Sequence, residues 1–133
     1  MGARRIVVVA ALLTIGMLAH SADAAPPKKS VTESTPSSSA TCTATPVGNN
    51  LVLNGQARSS GLSTGGTVQC SVNGGAWTTS IPAGGGFTAG IVPVAVTAGK
   101  ASATGAYTLC VHVHIGYFDL DPRNSYWDEI SCA

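Results

Sequence analysis

The chain has 133 residues, of which 10% are charged and 5% aromatic, and its formal net charge is +1. That length holds one small domain with a tail, and it excludes a two-lobed nucleotide-binding enzyme and a barrel of ~250 residues. A charge this close to zero supplies no basic face for nucleic acid, so none is expected as a partner.

Residues 1–24 read as a secretory signal. Arg4 and Arg5 precede an apolar run from Ile6 to Ala19, and Ala22-Asp23-Ala24 supplies small residues for cleavage after Ala24. The run is shorter than the ~18–20 residues that span a bilayer, and no later segment is as apolar, so no membrane span is expected after signal removal. Without the signal, Lys28, Lys29, Arg58, Lys100 and Arg123 balance Glu33, Asp119, Asp121, Asp128 and Glu129. Four cysteines remain: Cys42, Cys70, Cys110 and Cys132. An even number in a short exported chain predicts two disulfides and a secreted or periplasmic location. None of the cysteines stands in the close pairs that a thiolate zinc site uses.

Residues 25–40 read APPKKSVTESTPSSSA. Pro, Ser, Lys and Thr dominate, which predicts a flexible tail that cannot bury a core. The folded body is expected to span residues 41–133. From Thr41 onward, Gly and Pro interrupt the chain at intervals of about ten residues, and β-branched residues fill the gaps, the pattern of an all-β sandwich. The first strand runs from Ala40 to Pro46 as an edge strand, since Pro lacks a ladder donor. The second runs from Asn50 to Ala57. In the third, Thr67 to Val72, the residues Val68, Cys70 and Val72 alternate with Gln69 and Ser71. Asn73-Gly74-Gly75 is a hairpin turn, because Asn and Gly tolerate positive φ. Ala76 to Ile81 then returns as the fourth strand. The fifth runs from Phe87 to Val96, with Pro93 marking an edge or bend. In the sixth, Ala106 to Ile115, the residues Tyr107, Leu109, Val111, Val113 and Ile115 face one way; Cys110, His112 and His114 face the other. Tyr126 to Cys132 is the last. Seven short strands fit two packed sheets with Greek-key connections.

Four cysteines allow three pairings. Bridged cysteines must point the same way with their Cα atoms within ~7 Å. Cys42 and Cys70 share register with small or apolar residues, while Cys110 and Cys132 sit on successive strands. The facings favour Cys42–Cys70 and Cys110–Cys132.

The run Thr67-Val68-Gln69-Cys70-Ser71-Val72-Asn73-Gly74-Gly75-Ala76-Trp77-Thr78 is followed by Gly105-Ala106-Tyr107-Thr108-Leu109-Cys110-Val111-His112-Val113. Together they resemble bacterial immunoglobulin-like and PKD-type sandwich domains, which carry a V-x-V-N/D-G-G-x-W hairpin and a late G-x-Y-T-x-x-V-x-V strand. The resemblance covers about residues 47–130. It implies a seven-stranded immunoglobulin-like Greek-key β-sandwich and a role as a stalk, adhesin or accessory module. It transfers no catalytic residues. The four cysteines and the acidic, aromatic last connection depart from the family pattern, so function has to be argued from a site.

Gly61-Leu62-Ser63-Thr64-Gly65 matches G-x-S-x-G, but no helix follows to make the strained elbow that exposes a nucleophile, so this is a loop. His112 and His114 lie about 7 Å apart on one strand face. With Asp128 or Glu129 on the last strand as a third ligand they fit Zn²⁺ or Cu²⁺; the alternative is an outward polar face. Asp119, Asp121, Asn124, Asp128 and Glu129 supply oxygen ligands suited to Ca²⁺, although no Gly marks a sharp turn and Pro122 interrupts. Tyr117, Phe118, Tyr126 and Trp127 cluster beside these acids and suit sugar stacking or a protein contact; the alternative is that some of them close the core. Trp77 reads as core or hairpin packing, and Tyr107 as a corner residue that fastens a loop through its hydroxyl.

Three functional readings follow. The first is a non-catalytic exported binding module with a protein or glycan partner at Tyr117, Phe118, Asp119, Asp121, Tyr126 and Trp127. The second is a metal-binding protein using His112, His114 and Asp128, with no other cofactor implied. The third is a small secreted enzyme inhibitor. Two histidines and five acids after the signal, four of the acids in one segment, argue against an enzyme.

Overall fold

The computed structural model describes residues 25–60, 63–82, 92–117 and 126–133. The expected signal at 1–24 lies outside them, as do Phe118, Asp119 and Asp121 of the expected binding loop. Every element described is a strand: β1 (Lys29–Ser34), β2 (Ser38–Val47), β3 (Asn50–Ser59), β4 (Ser63–Val72), β5 (Ser80–Pro82), β6 (Val92–Ser102), β7 (Leu109–Tyr117) and β8 (Tyr126–Cys132). No helix among the described residues is long and apolar enough to cross a membrane. A five-stranded sheet in the order β1-β2-β3-β6-β5 packs on a three-stranded sheet in the order β4-β7-β8. All pairings are antiparallel.

Alternation with period two builds the core. Leu51 and Leu53 point inward from β3, Val68 and Cys70 from β4, and Leu109, Val111, Val113 and Ile115 from β7; all are buried. The Cys42–Cys70 disulfide joins β2 to β4 and so crosses from one sheet to the other, with both cysteines fully buried. Cys42 pairs in register with Gly55. A Cβ at Gly55 would lie 2.5 Å from Thr97 Cγ2 and 3.2 Å from Cys70 Sγ. The hydroxyl of Thr97 is held by bonds to Thr78 Oγ1 at 2.8 Å and to the Thr79 carbonyl at 2.7 Å, so that side chain cannot swing clear. Gly55 therefore makes the room through which the bridge passes. The second disulfide, Cys110–Cys132, ties directly opposed residues of β7 and β8 at the surface.

Three expectations change. Residues 25–40 are not a flexible tail: all six residues of β1 pair with β2, and the connection between them closes with a bond from Thr35 N to the Ser38 carbonyl at 2.9 Å. The described residues hold eight strands where seven were expected, and the strand beginning near Ala40 becomes internal. The polar composition hid β1 because the strand buries only one apolar side chain, Val31, at 4% exposure. Second, the fourth strand shrinks to β5, which joins β6 in the larger sheet. The turn before it is present, with Asn73 and Gly74 at φ of 52° and 68°, but residues 75–79 form no strand and are held along the β4 edge through Thr78 before the chain joins the larger sheet. Third, the fifth strand does not end at Val96 but runs on to Ser102 as β6; its expected start at Phe87 lies outside the described residues, and Pro93 sits at the bend expected of it. A register shift between Ala57 and Arg58 accompanies it, and β5 pairs β6 only over Ala95–Thr97, so the missing donor disrupts no ladder there.

The N-terminal segment is fastened from the far end of the chain. The Tyr107 hydroxyl donates to the Pro27 carbonyl, and Lys29 Nζ donates to the Tyr107 carbonyl at 2.8 Å. Burial pushes the Tyr107 phenol above its ordinary value, which keeps it a donor.

Two stability outcomes follow. A chain beginning at Thr41 is expected to be at least about 3 kcal/mol less stable than one beginning at Ala25, from the lost burial of Val31 and the lost hydrogen bonds; equal urea midpoints would return residues 25–40 to the status of a tail. Gly55→Ala is expected to cost about 1–3 kcal/mol through overpacking against the disulfide, read from the same denaturation curves.

Candidate functional site

The outer face of the three-stranded sheet gathers the polar and aromatic side chains. Strand register puts Gln69 opposite His112, His112 opposite Ile130, and His114 opposite Asp128. Tyr126 lies one step further along β8 on the same face, because residues 126, 128 and 130 alternate with the inward Trp127.

Trp77 reaches this face through the free edge of β4. Thr78 N donates to the Cys70 carbonyl at 2.9 Å, and the Cys70 amide donates back to Thr78 Oγ1 at 2.9 Å. The Val68 amide donates to Ser80 Oγ at 2.8 Å. Two hydroxyls thus satisfy edge donors that would otherwise be open to another strand. The same bonds hold the segment against β4 and set Trp77 beside His112, with ring centroids 5.7 Å apart. His114 stacks on Tyr126 at 4.9 Å with an interplanar angle of 29°. The result is a row of four rings, Trp77, His112, His114 and Tyr126. Both ends are exposed, Trp77 at 39% and Tyr126 at 66%, as is the His114 side chain between them at 40%.

One carboxylate organises the row. Asp128 Oδ1 faces His112 Nε2 at 2.8 Å, and Oδ2 faces His114 Nδ1 at 3.0 Å. His112 Nδ1 faces Gln69 Oε1 at 3.2 Å, while Gln69 Nε2 donates to the Thr78 carbonyl at 3.1 Å. That second bond fixes which end of the amide meets the ring. Both nitrogens of His112 therefore look at oxygen atoms of neighbouring side chains. The hydrogen bonds from both imidazoles, His112 first, hold the Asp128 carboxyl below its usual value.

The residues expected from sequence are divided by this geometry. His112, His114 and Asp128 do come together, but as hydrogen-bond partners whose atoms face one another. No group of three metal-ligating side chains is placed to hold an ion among the described residues. Trp127 turns inward at 9% exposure and joins the core. Tyr117 is partly buried against the core and its hydroxyl bonds Ser38 Oγ across the sandwich. Neither forms part of an exposed cluster with Tyr126. Trp77, expected in the core or packed on the hairpin, stands at the surface beside the hairpin strand β4. Gln69 carried no signal beyond its outward place in β4. Ser63, of the G-x-S-x-G run, is buried in β4 and donates to the Gly116 carbonyl at 2.9 Å, so its hydroxyl is engaged. No family model, curated protein or solved structure matches the chain.

The lowered Asp128 value has a defined sign. A carboxylate held below its unfolded value of 3.8 adds stability above that pH, and the contribution disappears as pH falls through the folded value. Asp128 is 56% exposed, so solvent screening limits the effect to below about 1 kcal/mol. Asp128→Asn is expected to be the less stable protein at pH 6, with the gap closing by pH 2; urea unfolding at both values measures it, and a gap that is constant or widens in acid would contradict the assignment.

Proposed function

We propose that this chain is an exported, non-catalytic binding module of the immunoglobulin-like sandwich kind, and that its ligand is a glycan lying on the ring row of the three-stranded sheet. The observation that carries the reading is the row itself: four rings on a disulfide-tied sheet, with both ends exposed and the middle pinned by one carboxylate. Rings present large area at little conformational cost, and their faces suit the C–H surface of a sugar ring. Gln69, Asp128 and the imidazoles border them with donors and acceptors for hydroxyl groups. Ile130, at 57% exposure, extends the apolar surface beside His112. The two disulfides support an oxidising compartment outside the cytoplasm, in keeping with the signal read in residues 1–24. The Asn73-Gly74 turn and the two-sheet packing support the immunoglobulin-like, Greek-key assignment. The ligand then lies on the sheet face that carries Tyr126 and Trp77 and not on the acidic, aromatic last connection expected from sequence.

A glycan array followed by calorimetry tests this. Tyr126→Ala and Trp77→Ala are each expected to weaken the best ligand about tenfold, the cost of one stacked ring, while the melting temperature stays within a few degrees. Full affinity in the double variant, or no glycan retained by the wild-type protein, would refute it.

A further inference from the structure

The outer face of the five-stranded sheet carries a second arrangement, independent of the ring row and on the opposite side of the sandwich. Three cross-strand rows run over β1, β2 and β3: Ser30-Thr43-Asn54, Thr32-Thr41-Gln56 and Ser34-Ser39-Arg58. In the first two rows the hydroxyls of β1 and β2 satisfy each other, Ser30 with Thr43 at 3.1 Å and Thr32 with Thr41 at 2.9 Å. The third row breaks the pattern. The hydroxyls of Ser34 and Ser39 have no hydrogen-bond partner among the described residues. They open instead on a groove of about 270 Å³ that they share with Arg58, Ser37 and Ser60.

Arg58 is the charge in this groove. Its guanidinium donates to Gln56 Oε1 at 3.1 Å, a neutral acceptor, and it has no carboxylate partner among the described residues. Glu33 is near in sequence but alternates onto the other face of β1, the face that buries Val31. Beside the groove, Thr41, Thr43, Asn54 and Gln56 line a second depression of about 300 Å³, again without an acid among the described residues. A full positive charge, two unspent hydroxyls and a surround with no acid among the described residues are complementary to an oxyanion. Guanidinium donors bond such a group in its own plane, and hydroxyl rotors adapt to its remaining oxygens.

We propose that this face binds an oxyanion through Arg58, Ser34 and Ser39. We further assign its carrier to a phosphorylated or sulfated saccharide whose hydroxyl groups lie over Thr41 and Gln56. The anion fills the groove at the β1–β2 turn, and the sugar follows the register rows toward the second depression.

Amide-resolved NMR titration of the purified protein, at ionic strength held constant with chloride, tests both parts. Sodium phosphate and sodium sulfate are expected to shift Ser34, Ser39 and Arg58 saturably, and glucose alone to shift none of them. Glucose 6-phosphate is expected to bind about tenfold tighter than phosphate and to move Thr41 and Gln56 as well. Arg58→Gln is expected to abolish the anion shifts without unfolding the protein, because Arg58 is exposed. No saturable shift with either ion, or shifts unchanged in Arg58→Gln, would overturn the site. Equal affinity for phosphate and glucose 6-phosphate would overturn the saccharide carrier and assign the site to the free ion. Binding of glucose 6-phosphate lost in the Tyr126→Ala protein but kept in Arg58→Gln would place the anion on the ring row instead.

Discussion

The inter-sheet disulfide is the constraint on which the rest of the structure depends. Stacked sheets lie roughly 10 Å apart, and a small sandwich has few large side chains with which to fill that gap. Cys42–Cys70 closes it covalently at a point where both residues are fully buried. Once β2 is bound to β4, three other features follow. Gly55 must be a glycine, because its neighbours occupy the place of a side chain. Thr97 must be held still, and the bonds from its hydroxyl to residues 78 and 79 do so. Those bonds, together with Thr78 on Cys70, bring the 75–79 segment to the edge of β4, and Trp77 arrives beside His112 as a result. The position of the ring row is therefore a consequence of how the core is closed.

The two sheets meet water in different ways. The outer face of the three-stranded sheet is aromatic and organised around a carboxylate. The outer face of the five-stranded sheet is hydroxyl-rich and carries a guanidinium. Neither arrangement needs the loops that the charge and aromatic content of the chain draw attention to. Both are products of register: side chains that are distant in sequence become cross-strand neighbours, where polar and aromatic pairs interact most directly. The free edges are protected by chemistry of the same local kind. The β4 amides are taken by Thr78 and Ser80, and the β8 edge carries Asp128 and Glu129, charges that discourage pairing with another strand.

Sequence alone determined a good deal. Turn residues and alternation sufficed for the all-β class, for the bounds of β8 and for the facing of β7. The same alternation, applied to the cysteines, pointed to the two bridges that the structure contains. Alternation is local: it needs only a few consecutive residues to state which side chains share a face, so it is legible without partners. It also put His112 and His114 together on an outward face.

Tertiary structure decided what alternation leaves open, namely which face is covered and by what. Trp127 and Tyr126 are adjacent and equally aromatic, yet one closes the core and the other stands in water, because the inner sheet lies on one side only. Tyr117 was drawn inward by Ser38, a residue 79 positions away. Trp77 was drawn outward by hydroxyl bonds to an edge strand. Residues 29–34 look unstructured by composition, and they form a strand because β2 offers a complete ladder and the core buries Val31. In each case the deciding partner lies far along the chain, and only folding brings it within the few ångströms over which packing and hydrogen bonds act.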